Sequence, residues 1–207
     1  IYFLSHIKNN YWLAGLSGYL SVLTRSAGLA LIPTTLFIKT KTKYSQIIGI
    51  TAIIYGFLTY LWLNWILFRN PFQFSIFQKQ YWNREIASPV IGINNLIQNH
   101  DQKVGIDKII TVDFELMAII LIAISIVWFI YKKKYQFSVY SFAMFILVTS
   151  YFQLISIPRY ALTIFPIMIM LAQITKKLWF IGIFLILGSL IIQYQLLDRF
   201  THNIWAY

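Results

Sequence analysis

Apolar residues run in long blocks along the chain, and polar or charged residues collect at the joins between them. Five blocks, 46–68, 116–131, 137–157, 160–174 and 178–197, approach the roughly 20 mostly apolar residues a helix needs to cross a bilayer core. A sixth, 11–38, is apolar but interrupted by Thr24-Arg25-Ser26, which leaves stretches 11–23 and 27–38. That pattern predicts two partial spans joined by a tight turn, with one interrupted span as the alternative. The expected class is all-α, a polytopic transmembrane helix bundle of about six to seven membrane segments, forming one domain over residues 1–207.

The join at 69–112 differs from the others. It is long, and loops of that length usually carry a purpose. Asn70 can cap a helix and Pro71 suits its first turn. Phe74, Phe77 and Tyr81 then recur on one helical stripe, with Gln73, Gln80 and Asn83 largely away from it. A second start follows at Ser88-Pro89. Here Val90, Ile93 and Ile97 share a stripe, while Asn94, Asn95 and Gln98 are expected to face away. Two amphipathic helices in the membrane interface fit this pattern. They either shield the bundle or wall a site at the membrane surface.

Composition sharpens the class. Hydrophobic residues make up 59% of the chain and charged residues 11%, against about 25% charged in ordinary soluble domains. A water-soluble enzyme and a disordered chain are both excluded. Cysteine is absent, which removes disulfides, thiolate metal sites and cysteine nucleophiles.

Charge placement orients the bundle. The short joins at 39–43, 132–134 and 176–177, with Lys8, hold nine lysines and no acid. All six acids, Glu85, Asp101, Asp107, Asp113, Glu115 and Asp198, fall in the remaining segments together with eight bases. Basic residues gather on the cytoplasmic side in short loops. If 11–38 passes twice, every lysine-only join lies on that side. The net charge of +11 therefore reads as topology and not as a nucleic-acid face. On this orientation the Arg25 turn, the 69–112 loop, the 156–160 turn and the C-terminal tail are extracytoplasmic. The isoleucine-, lysine- and asparagine-rich usage points to a bacterial inner membrane, with the endoplasmic reticulum as the alternative.

Candidate chemistry sits on that outer face. Arg25 and Arg159 each stand at the outer end of apolar helices. An arginine at membrane depth is costly and usually has a partner, and its planar fork suits a phosphate. The plain alternative is snorkelling to the headgroups. His6, His100 and His202 lack metal-ligand spacing, and no glycine-rich phosphate loop is present. Gly15, Gly18 and Gly28 read as close helix packing, and Pro166 as a kink. Asp113 reads as the cap of the helix that follows it, and Glu85 as a salt-bridge neighbour of Arg84.

Four segments then carry a resemblance. Leu23-Thr24-Arg25-Ser26-Ala27-Gly28-Leu29, Asn70-Pro71-Phe72 followed by Gln78 and Trp82-Asn83-Arg84, Pro158-Arg159-Tyr160 leading to Pro166, and Phe200 through Trp205-Ala206 occur in this order. Together they resemble the motifs of PIG-V-like mannosyltransferases, members of the GT-C superfamily of polytopic membrane glycosyltransferases. The resemblance implies transfer of mannose from a polyprenyl- or dolichyl-phosphate donor to an extracytoplasmic acceptor, with no further cofactor. It implies that Arg25 and Arg159 hold the donor phosphate and that Trp82, Arg84, Glu85 and Tyr160 wall the donor or acceptor site. It also implies that this chain corresponds to the C-terminal half of such a protein. The catalytic acid is then expected upstream of Ile1, and this part is expected to be inactive alone. The competing classes are a transporter or permease subunit and a structural membrane protein. The first would call for ionisable residues at mid-span, and the blocks contain no Asp, Glu or Lys there. The second leaves the aromatic loop unexplained.

Overall fold

A computed structural model describes residues 1–8, 10–40, 43–82, 84–102 and 108–201. Lys41, Asn83, Asp107 and Trp205-Ala206 lie outside the described residues, as does the side chain of Trp82. The chain is all-α, with one isolated bridge between Ile86 and Tyr151 and no strand among the described residues.

Helix α1 (Tyr2–Ile7) leads into α2 (Tyr11–Thr24), whose N-terminus is capped by Asn10 Oδ1 on the Leu13 N–H at 3.1 Å. After Arg25 the chain makes a 3₁₀ turn, Ser26–Ala30, then the short α3 (Leu31–Thr35). The long α4 (Lys43–Phe68) follows. Gly15 meets Ile48 and Ala52, Gly18 meets Ile53, and Gly56 meets Tyr19, so α2 and α4 lie side by side and run in the same direction. The 26–38 segment therefore doubles back between them, through a 3₁₀ turn and the five-residue α3. Glycine makes this approach possible. A Cβ on Gly56 would stand 2.6 Å from the Tyr19 carbonyl oxygen.

Helices α5 (Gln73–Trp82) and α6 (Pro89–Gln102) occupy the long loop. A π-helical turn, Ile109–Asp113, runs into α7 (Phe114–Tyr131). Lys132 and Lys133 close that helix by donating to Trp128 and Ile130 carbonyls, with Lys133 left-handed at φ 55°. Cations at a helix C-terminus also complement its dipole. Then come α8 (Tyr135–Thr149), α9 (Ile157–Thr163), α10 (Phe165–Lys177) and α11 (Trp179–Thr201).

Among the described residues two helices, α4 and α7, are long and apolar enough to cross a membrane, and α9 with α10 would make a third if the bent pair is one span. The sequence blocks predict six to seven segments, and the difference has local causes. Block 137–157 stops being helical at Thr149. Block 160–174 is bent by 76° at Ile164, because Pro166 has no N–H to give and disfavours helix just before it. Helix α2 has 14 residues and α8 has 15, so each is only about 21–23 Å long at 1.5 Å per residue.

The main core joins Ile119 and Ile122 of α7, Met144 and Val148 of α8, Ile157 of α9, Ile164 at the bend and Ile167 of α10. A second cluster joins Tyr2, Val22, Leu31 and Ile53. Between them the rings of Phe3, Phe137, Tyr140 and Phe165 pack edge-to-face or tilted with centroids 5.0–6.1 Å apart, and Phe129 joins at 5.2 Å from Phe137. Such ring pairs stabilise beyond their buried area.

Candidate functional site at the outer face

The site is built where three separate turns meet. The first is the end of α2. Arg25 leaves the helix in an extended conformation, and its carbonyl accepts the Gly28 N–H at 2.9 Å. A Cβ on Gly28 would stand 2.8 Å from the Ser21 backbone, so glycine lets the 3₁₀ turn press against α2 and fixes where Arg25 emerges.

The second turn joins α5 to α6. The Ser88-Pro89 start is present, with Ser88 Oγ accepting the Ile91 N–H, whereas Asn70 Oδ1 accepts the Phe72 N–H in a turn that holds Pro71 and the helix begins only at Gln73. Phe74 and Phe77 pack on Tyr60 and Phe68 of α4, as the stripe predicted, while Tyr81 is largely exposed. The face of α6 differs from the expected one. Gly92, Ile93 and Leu96 face the core, and Val90 and Ile97 are exposed. Gly92 decides this, because a side chain there would run into the carbonyls of Thr149 and Tyr151. Asn95, expected to face away, instead donates to the Phe152 carbonyl at 2.9 Å. The Ile86–Tyr151 bridge, with Ala87 N–H to Ser150 O and Phe152 N–H to Glu85 O, ties this turn to the third.

The third turn, 150–156, precedes α9. Ser156 is left-handed at φ 63°. Glu115, at the start of α7, is 1% exposed. Its Oε1 accepts the Ser156 N–H at 2.6 Å and its Oε2 the Ile157 N–H at 2.7 Å. A carboxylate on free N–H groups at a helix start is favourable both as hydrogen bonds and against the dipole. Asp113, the residue read as that helix's cap, is itself helical and makes no cap hydrogen bond.

Tyr160 is the meeting point. Arg84 donates one guanidinium nitrogen to Tyr160 Oη and the other to the Ile155 carbonyl. Its Cζ lies 5.2 Å from the Tyr151 ring centroid and 5.1 Å from that of Tyr160. Arg25 Cζ lies 4.5 Å over the same Tyr160 ring. Burial pushes the Tyr151 phenol up, with Arg84 pulling it down and Tyr160 adding to the rise. Among the described residues neither arginine is in an ion pair. The cluster is two guanidinium cations on one phenol without a facing carboxylate.

Beside it lies a cavity of about 590 Å³ between α2, the 3₁₀ turn, α8 and the α9–α10 bend. Leu20, Gly28, Tyr140, Met144 and Phe165 line it, with Arg25 at its edge. The hydroxyls of Ser17, Ser21 and Thr24 face it, but each donates to a carbonyl of its own helix. Its body therefore suits an apolar occupant, and Arg25 suits an acidic end.

Compared with protein-family models, curated proteins and solved structures, the chain matches none.

The fold brings Arg25, Arg84 and Tyr160 together, and it leaves two other expected site residues apart. Arg159 is exposed, because consecutive helix positions point about 100° apart and Tyr160 takes the inward one. Glu85 is exposed and pairs with Lys79 at 3.0 Å, so its partner is not Arg84. The sequence reading missed Tyr151, Gly92 and Glu115. The available signal for Glu115 was an acid placed directly before the most apolar block.

Proposed function

We propose that the protein is a membrane glycosyltransferase of mannosyltransferase type that uses a polyprenyl- or dolichyl-phosphate sugar as donor and an extracytoplasmic acceptor. One observation carries the reading. The three separate segments that resemble the PIG-V-like motifs, around Arg25, Arg84 and Tyr160, converge on one side chain.

In the proposed reaction the bond from the sugar's anomeric carbon to the phosphate oxygen breaks, and a bond from that carbon to the acceptor oxygen forms. A general base takes the acceptor proton, and the lipid phosphate leaves with the electron pair. Negative charge grows on that phosphate, and fixed cations placed there lower the barrier. Arg25 and Arg84 take this role, with Tyr151 and Tyr160 as the wall beside the sugar. The cavity next to Arg25 takes the first part of the lipid chain. Arg159, at the surface, faces headgroups. On this reading α2, α8 and the remaining apolar helices complete a bundle of about six to seven membrane segments, in a bacterial inner membrane.

The test is transfer from labelled polyprenyl-phosphate mannose in membranes containing the gene product. Arg25→Gln and Arg84→Gln should each lower turnover by about 10²-fold or more, and Arg159→Gln should leave it within a few-fold. Equal activity of all three with wild type would remove the site assignment.

A further inference from the structure

The buried carboxylate of Glu115 has a second role beyond closing the start of α9. Both of its oxygens are engaged by backbone N–H groups, and it does not line the cavity. The peptide it holds is shared. The N–H of the Ile155–Ser156 peptide donates to Glu115, and the carbonyl of that same peptide accepts from Arg84. One planar amide is thus clamped between an anion and a cation. Its dipole lies so that each charge strengthens the other's hydrogen bond. The left-handed Ser156 conformation, uncommon for a residue with a side chain, is what brings two successive N–H groups onto one carboxylate.

We propose that Glu115 is the positioning residue for Arg84, acting through the Ile155–Ser156 peptide to hold the guanidinium against Tyr160. The inference deepens the proposed site and rests on that reading for what the site binds, while its geometric content stands separately. With Glu115 ionised, the Ile155 carbonyl is a fixed and polarised acceptor. One Arg84 nitrogen is anchored there, and the other is directed to Tyr160 Oη. Without the anion, Ser156 has no reason to remain left-handed. The carbonyl then turns away, and Arg84 loses its anchor while every atom of its own side chain is intact.

The test uses the full chain in detergent micelles with ¹⁵N-labelled arginine. Only five arginines are present, so Arg84 is assigned by its loss in Arg84→Lys. In wild type, two held guanidinium nitrogens should give separate, slowly rotating Nη signals. Glu115→Gln keeps the size and removes the charge, and it should merge those signals into one averaged line while leaving the Arg69 and Arg199 signals in place. Separate Arg84 signals in a folded Glu115→Gln protein would overturn the proposal, even if its melting temperature fell. Should that variant not fold, Arg84→Gln gives the reciprocal reading. The Ser156 amide proton, in a short bond to a carboxylate, should move upfield and exchange faster with solvent. An unchanged Ser156 amide would equally overturn the coupling. Failure of sugar transfer in membranes containing the whole gene product, with these signals intact, would instead strike the proposed function alone.

Discussion

Tyr160→Phe removes one atom from the centre of the candidate site and keeps the ring. The lost atom is the acceptor of one Arg84 guanidinium hydrogen bond. Hydrogen bonds to charged groups are worth about 1.5–3 kcal/mol in soluble proteins, and polar contacts measured within membranes average about 0.6. The site is half-buried at the outer end of the helices, so a loss of about 1–2 kcal/mol is expected between those limits. Tyr160→Leu also removes the ring that Arg25 and Arg84 approach at 4.5 and 5.1 Å. Arg25 is exposed, so each such contact counts at about 0.5 kcal/mol, and the second variant should cost about 1 kcal/mol more than the first. The assay is reversible unfolding in bicelles with increasing sodium dodecyl sulfate, followed by tryptophan fluorescence. In an Arg84→Gln background, Tyr160→Phe should cost almost nothing further, because its partner is already gone. Additive losses in the double variant, or a Tyr160→Leu protein as stable as wild type, would refute the cluster as an energetic unit.

Gly56→Ala should destabilise by about 1–3 kcal/mol in the same assay, since the new Cβ must displace the Tyr19 backbone. A neutral result would mean that α2 and α4 are not in close register. Glu115→Ala leaves two N–H groups unsatisfied and should cost about 2–4 kcal/mol, readable as a lower unfolding midpoint. In intact cells, an impermeant thiol reagent should label a cysteine at Ile86, 80% exposed on the outer loop, and should spare one at Lys133. Labelling at Lys133 would invert the orientation derived from the lysine joins.

Long apolar blocks made the helical class and the two long spans legible. Where a block stops being helix was less so. Nothing in the run from Phe137 to Ile157 signals the exit at Thr149. That exit depends on carbonyls and N–H groups satisfied from elsewhere, by Ala87, Asn95 and Glu115. The site was legible as a set of segments and less so as a set of side chains. Arg25, Arg84 and Tyr160 were all flagged, but the pairing of Arg25 with Arg159 was not the one the fold makes. Sequence position puts both at the outer face. Only the rotation of α9 decides that Tyr160, and not Arg159, points inward. The α6 face failed for a related reason. Periodicity rates Val90 and Ile97 by hydrophobicity, while the packed face is set by the absence of a side chain at Gly92.

The packed rings of Phe3, Phe129, Phe137, Tyr140 and Phe165 bear on how the chain is assembled during synthesis. Phe3 and Phe165 lie 5.0 Å apart in space and about 160 residues apart along the chain. At about 5–20 residues per second, Phe3 waits some 8–30 s for that ring to be made. Helices α2 and α4 can pair as soon as both are made, but the contact of Phe3 with Phe165 must wait for the later segment. Until then Phe3 has only Phe137 and Tyr140 of this group as ring partners. An aromatic-to-alanine change at Phe165 would therefore be expected to act on the yield of inserted protein before it acts on the finished fold.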